Sequence, residues 1–355
     1  MKLDPATGKR IADFSLPTSQ RAKTAPLWGY LNVDGEFLIG GAEPVFDPTQ
    51  LKNSSKTKTP GGDDDDDKKP APKPVVNAVT TGVATGVATP IKVENDNYSS
   101  SKRLVVMDRQ TGDVQWTATA RNGFRHNAIC LGGGRIYCID RASGAEFSRL
   151  KRRGEKPQHE PRLVAFDLKT GAELWSSETD VFGTWLSYSA ERDVLVEAGR
   201  SARDTLSDEP KGIRTYSAKS GKELWSNKTF TGPALIHHDL ILMAGSACDL
   251  RTGTPRLRAH PLSGEPVEWT WSRNYGCNTP MASEHLLMFR SGAAGYFDFC
   301  GDGGTGNFGG FRSSCTNNLI VAGGVLTAPE YTRTCTCSYQ NQTSLALVHM
   351  PDVET

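Results

Sequence analysis

The sequence predicts an all-β fold, a β-propeller of about six four-stranded blades, from three observations. Its 36 glycines and 20 prolines fall largely in Thr-Gly, Ser-Gly and Gly-Gly pairs or short loops between brief apolar runs, the composition of many strands joined by tight turns. Long amphipathic helices are not legible. One pattern of strand, turn and aromatic residue recurs along the 355 residues at blade-like intervals.

The copies are taken in chain order. KLDPATGKRIADF places a turn glycine at Gly8 and an aromatic residue, Phe14, beyond it. VVMDRQTGDVQW, VAFDLKTGAELW and RTYSAKSGKELW each end in a tryptophan four residues after the glycine, giving Gly112 with Trp116, Gly171 with Trp175, and Gly221 with Trp225. A weaker copy, RAHPLSGEPVEW, pairs Gly264 with Trp269, one residue later. In the sixth, Thr305-Gly306 falls at the turn position after the strand AGYFDF. The glycines at 112, 171, 221, 264 and 306 are 59, 50, 43 and 42 residues apart, lengths that fit a four-stranded unit with variable loops. Glycine supplies the positive φ of the turn, and the indole covers the next sheet while its N–H reaches a backbone carbonyl. These eight Gly and Trp residues are therefore expected to dock blades rather than perform chemistry.

Gly304, Gly306 and Gly309 spell GxGxxG, but a dinucleotide fingerprint needs a helix after it. FRSSCTNNLIVAGG is strand and turn material, so that reading is rejected. Between Gly8 and Gly112 the chain is a blade too long. The excess is the low-complexity stretch 51–95, expected to be a disordered insertion in a single domain spanning 1–355. Its run Asp63 to Asp67 lacks the fixed ligand geometry of a calcium loop. NLIVAGGVLTAPE and TSLALVHM supply three strand-like pieces with no tryptophan turn. Gly8 to Leu16 is expected to lend that last blade its outer strand and close the ring; the alternative is a fragment of a seven- or eight-bladed ring.

Lys and Arg number 41 against 40 Asp and Glu, so the overall charge of +1 favours neither nucleic acid nor an anionic surface. No apolar run is long enough to span a bilayer, and a chain that is not transmembrane is expected. The first residues lack the apolar segment of a secretory signal and read as the middle of a repeat, so Met1 is expected to be an internal start or a fragment edge.

The cysteines are the most chemical feature. Cys335 and Cys337 alternate on a strand and share a face, and Cys277 and Cys315 lie nearby in sequence. Disulfides among these four are favoured over buried thiols, and a Cys₄ metal site comes last. Cys130 and Cys138 flank a hairpin, where free thiols are the simpler reading, and Cys248 and Cys300 have no visible partner. His237 and His238, consecutive on a strand, should point to opposite faces and so not share an ion. His126, with Arg125, could line the ring's mouth. Arg149, Lys151, Arg152 and Arg153 form a basic cluster on a connection, read first as a solvated loop and otherwise as a contact for an acidic partner, lipid head groups or polyanions.

The motif xDxxTGxxxW of Val105 to Trp116 and Val164 to Trp175 resembles the PQQ-like propeller repeats of quinoprotein dehydrogenases and of BamB-type outer-membrane assembly lipoproteins. Arg214 to Trp225 matches with Tyr216 and Ser220 departing. The C-terminal third is similar to PQQ-like repeat proteins of planctomycete-type bacteria. The resemblance covers nearly all of the chain outside 51–95 and implies the fold far more strongly than a function. It implies a periplasmic or cell-envelope address and a non-catalytic scaffold with a protein partner. The alternative it implies is a PQQ-dependent oxidoreductase, whose PQQ stacks on a tryptophan beside calcium held by Glu, Asn and Asp. No adjacent Cys-Cys pair of that enzyme type is present. A ligand-sensing domain of a larger chain is the second alternative.

Overall fold

A computed structural model of the chain describes residues 1–17, 26, 28–44, 100–199, 211–231, 234–274, 276, 279–301, 304–312, 319–329 and 344–348. The expected insertion at 51–95 lies outside them.

The regular structure of the described residues is almost entirely antiparallel strand, in successive propeller-type sheets. β1 (Lys2–Leu3) and β2 (Arg10–Ala12) form a hairpin. The first blade runs β3 (Trp28–Asp34), β4 (Phe37–Pro44), β5 (Ser100–Asp108) and the first half of β6 (Val114–Gly132). β6 is shared: its early residues pair with β5, and Phe124 to Gly132 become the inner strand of the second blade, beside β7 (Arg135–Asp140), β8 (Arg162–Asp167) and β9 (Glu173–Ser177). The single helix of the described residues, α1 (Gly144–Arg152), interrupts the passage from β7 to β8. β10 (Trp185–Ser189), β11 (Val194–Ala198), β12 (Ile213–Ser217) and β13 (Glu223–Asn227) form the third blade. The fourth has β14 (Leu235–His237), β15 (Leu240–Leu242) and β16 (Ala247–Asp249), followed by a separate hairpin of β17 (Leu257–Ala259) and β18 (Pro266–Glu268). β19 (Met281–Ala282), β20 (Leu286–Ser291), β21 (Ala293–Asp298) and β22 (Thr305–Asn307) make the fifth, and β23 (Ile320–Ala322), β24 (Val325–Ala328) and β25 (Leu345–Val348) the sixth.

The cores lie between sheets. Ile139, Leu163 and Ala165 of the second blade meet Leu186, Leu195 and Tyr216 of the third, and equivalent clusters fill the neighbouring seams. Strands buried on both faces read as short continuous apolar runs, as in RLVAFD.

The docking device is regular. Trp116 lies on Gly171 and Trp175 on Gly221, so close that a Cβ on either glycine would come within 2.5 and 2.6 Å of the indole. Both glycines have φ near +70° (73° and 70°), which a side chain would also strain. The indole N–H donates to the carbonyl three residues before the glycine, Leu168 at 2.9 Å and Ala218 at 3.1 Å. Phe14 occupies the corresponding place on Gly112. The carboxylates of Asp4, Asp108, Asp167 and Asp249 each accept two backbone N–H groups of the turn that follows. For Asp108 these donors, Thr111 first, hold the acid below its ordinary range.

Three details differ from the sequence reading. Trp225 lies on Gly253, not Gly264, and donates to Leu250 O at 3.0 Å. The fourth copy of the turn is DLRTG, which lacks a tryptophan four residues on. Gly264 turns the exposed β17–β18 hairpin with no atom within 4 Å of its Cβ position, while Trp269 is buried edge-on against Phe297. Gly306 is not at a turn but in β22, opposite Tyr296, whose ring needs the missing Cβ. Finally, β2 pairs with β1 instead of extending the β23–β25 sheet, because the Thr-Gly turn between them makes the local hairpin the shorter closure.

Candidate functional site

In an antiparallel four-stranded blade, the connections from second to third strand and the crossovers into the next blade emerge at one end, and the remaining turns at the other. The first end carries the longest connections. The chain leaves β4 at Pro44 and returns at Ser100, leaves β7 at Asp140 and returns at Arg162, and leaves β11 at Ala198 and returns at Ile213.

α1 sits on the second of these. Ser143 caps it, its Oγ accepting the Glu146 N–H at 3.2 Å, and Glu146 places a negative charge in the first turn. The basic cluster expected on a loop thus begins within a helix. Lys151, Arg152 and Arg153 are exposed at its C-terminal end, where cations suit the helix dipole, and Lys156 follows. Phe147 on the same helix is 53% exposed, an apolar group beside the positive charge.

Beneath this end lie two buried acids that the sequence reading missed. Asp140 accepts the backbone N–H groups of Arg121, Asn122 and Gly123 at 2.7, 2.8 and 2.9 Å, and Arg162 Nε at 3.3 Å. Glu197 does the same one blade on, accepting the N–H groups of Phe182 and Gly183 through Oε1 and the Tyr216 hydroxyl through Oε2. Burial pushes the Glu197 carboxyl above its ordinary range, against the pull of those donors. Each acid pins the crossover that enters its own blade. The signal was present as an acid at the end of an apolar strand, with an arginine opposite in register, Asp140 to Arg162 and Glu197 to Arg214.

His126 lies at this end with Arg125. Its Nε2 is 2.8 Å from Ser101 Oγ, and burial, helped by Arg125, lowers its pKa to about 4, so the imidazole is neutral at physiological pH. Ser101 is fully buried, which denies a substrate access to its hydroxyl. This Ser-His pair packs the mouth of the first two blades beside Tyr30.

At the opposite end, three inner turns meet. His238 has φ +51°, a turn conformation that brings its ring within 4.6 Å of His237, contrary to the strand alternation expected for the pair. His238 Nδ1 lies 3.5 Å from Glu191 and its Nε2 3.2 Å from Glu284, while His237 stacks on Phe299. His285 Nδ1 is 3.5 Å from Cys300 Sγ. Among the described residues no three His, Cys, Asp or Glu side chains are grouped so as to hold a metal ion.

Cys277, Cys315, Cys335 and Cys337 lie outside the described residues. Cys130, Cys138, Cys248 and Cys300 are free thiols. Cys138 pairs with Ile129 rather than Cys130, so the two thiols of that hairpin face opposite seams. Of the expected docking residues, Trp116, Trp175 and Trp225 lie on Gly171, Gly221 and Gly253, and Gly264 meets no indole. No helix of the described residues is long and apolar enough to cross a membrane.

No protein-family model matches the chain, and no curated protein matches it. Solved structures do. BamB from Moraxella catarrhalis is 20% identical, with a TM-score of 0.41 over 64% of this chain and 61% of its own. A quinohemoprotein alcohol dehydrogenase from Pseudomonas putida is 16% identical, with a TM-score of 0.26 over 58% and 32%. A europium-containing methanol dehydrogenase is 13% identical, with a TM-score of 0.32 over 70% and 54%. The chain therefore spans less than two thirds of the length of each.

Proposed function

We propose that this chain is a non-catalytic binding module that holds a protein partner at the end of the blades bearing α1. The observation that carries this reading is the composition of that helix and its exit. Exposed Phe147 stands beside Lys151, Arg152 and Arg153 on a scaffold whose own buried acids, Asp140 and Glu197, are already engaged by backbone N–H groups. An aromatic anchor flanked by cations suits an acidic protein surface: the ring supplies contact area and the charges steer the encounter. A cell-envelope location rests on the repeat's resemblance.

The experiment is affinity capture from the native organism, with the wild-type chain beside a Lys151→Glu, Arg152→Glu, Arg153→Glu variant. A partner retained by the wild type and lost by the variant, with salt-sensitive binding, supports the reading. Titration with PQQ and calcium supplies the opposing outcome. A bound quinone spectrum with dye-linked alcohol oxidation would replace the binding module by the oxidoreductase.

A further inference from the structure

Three successive blades meet on one imidazole at the end opposite α1. The turn from β10 to β11 brings Glu191, the turn from β14 to β15 brings His238, and the turn from β19 to β20 brings Glu284. His238 Nδ1 lies 3.5 Å from the Glu191 carboxylate and Nε2 lies 3.2 Å from that of Glu284. The backbone of His238 is held at φ +51°, a conformation that residues other than glycine seldom adopt, and its ring stands between the two acids.

Such a bridge selects a protonation state. A neutral imidazole has one N–H and one lone pair, an imidazolium has two N–H donors, and an ionised carboxylate only accepts. Both contacts are therefore hydrogen bonds in the imidazolium alone. In the neutral ring the shorter contact, to Glu284, keeps the proton, and Nδ1 turns its lone pair on Glu191.

The remaining charged groups around the ring are engaged elsewhere. Arg192 meets Asp239 in two contacts, with Asp249 and Arg251 near that pair. His237 stacks on Phe299, its ring 4.6 Å from that of His238 and its Nε2 3.1 Å from the Glu284 backbone oxygen. His285, on the turn of Glu284, faces Cys300.

We propose that His238 is an acid-strengthened clasp: protonated, it joins the inner turns of the third, fourth and fifth blades, and neutral, it lets go of Glu191. The Arg192–Asp239 pair keeps its charges across the imidazole range and ties the third blade to the fourth in both states. The contribution of the clasp is present below about pH 6.5, the ordinary imidazole value, and fades as pH rises above it.

Urea denaturation of the full chain at about pH 5.5 and about pH 8, on either side of that value, tests this. His238→Asn removes the ring and tolerates the left-handed backbone. Its midpoint should fall below the wild-type midpoint by about 0.1–0.3 M more at the acid pH than at the alkaline one, a shift sized for exposed ion pairs. Glu191→Gln should show the same acid-dependent loss, and Glu284→Gln a loss in the same direction. His126 and Glu197 are common to all these chains, so their own titrations cancel in the differences. His237→Gln keeps a donor for the Glu284 backbone and should differ from the wild type by the same amount at both pH values. A gap between wild type and His238→Asn that is equal at the two pH values, or wider at the alkaline one, overturns the proposal. So does a Glu191→Gln gap that ignores pH, or a His237→Gln gap that widens in acid.

Discussion

Gly221 and Gly264 look alike in sequence, each in a Ser-Gly turn with φ near +70° (70° and 74°), yet only Gly221 carries an indole. Alanine at Gly264 should cost about 1–2 kcal/mol, the strain of the left-handed backbone alone. Alanine at Gly221 adds displacement of Trp175 and should reach about 2–4 kcal/mol. Urea denaturation of the two variants measures the difference, and equal losses would mean the indole contact contributes nothing. Phe14 is the one docking aromatic in the series without a ring N–H. Phe14→Trp should let an indole reach the Arg109 carbonyl, three residues before Gly112, and stabilise the chain by about 1 kcal/mol. An unchanged or lower melting temperature would show that the first turn cannot accept it. His126 gives a pH effect. Its pKa falls from 6.5 to about 4 on folding, so the unfolded chain binds the proton first and stability declines as pH drops from 6.5 towards 4. His126→Gln should flatten that part of the stability curve.

At the scale of elements, the turns were legible and the exceptions were local conflicts. Asp108, Asp167 and Asp249 hold their own turns, so their pattern is written in adjacent residues. Gly253 escaped notice because the tryptophan expected after it is absent, and Gly264 with Trp269 imitated the missing copy. α1 is hard to read from sequence because its nine residues carry only two large apolar side chains, Phe147 and Leu150, too few to mark a helix by themselves; Ser143 and Glu146 are its start signals. Glu197 is an element-scale clamp between β11 and the entry to β10. Its raised pKa means that the folded chain binds a proton more tightly than the unfolded one. Its contribution therefore makes stability rise as pH falls from the folded pKa towards the ordinary 4.5. Glu197→Gln keeps an acceptor for Phe182 and Gly183 and should abolish that rise, as urea midpoints against pH would report.

Over the whole molecule, thiol chemistry reports burial. Burial raises the pKa of Cys130, Cys138 and Cys248, the last to about 12, whereas Cys300 is exposed beside His285. In native protein at mildly alkaline pH, peptide mapping after brief alkylation should find Cys300 modified and those three protected. Early labelling of Cys138 would mean that the seam between the first two blades opens.

The sequence by itself determined the blade: a strand, an Asp- or Ser-held turn, a left-handed glycine and an indole are all encoded within about a dozen residues. It also determined that a blade's tryptophan serves its neighbour. Only the tertiary structure decided which glycine each indole reaches, that His237 and His238 meet, and that Asp140 and Glu197 are spent on crossovers. These depend on contacts between distant residues and on one backbone angle at His238, neither of which hydrophobic period or residue type specifies.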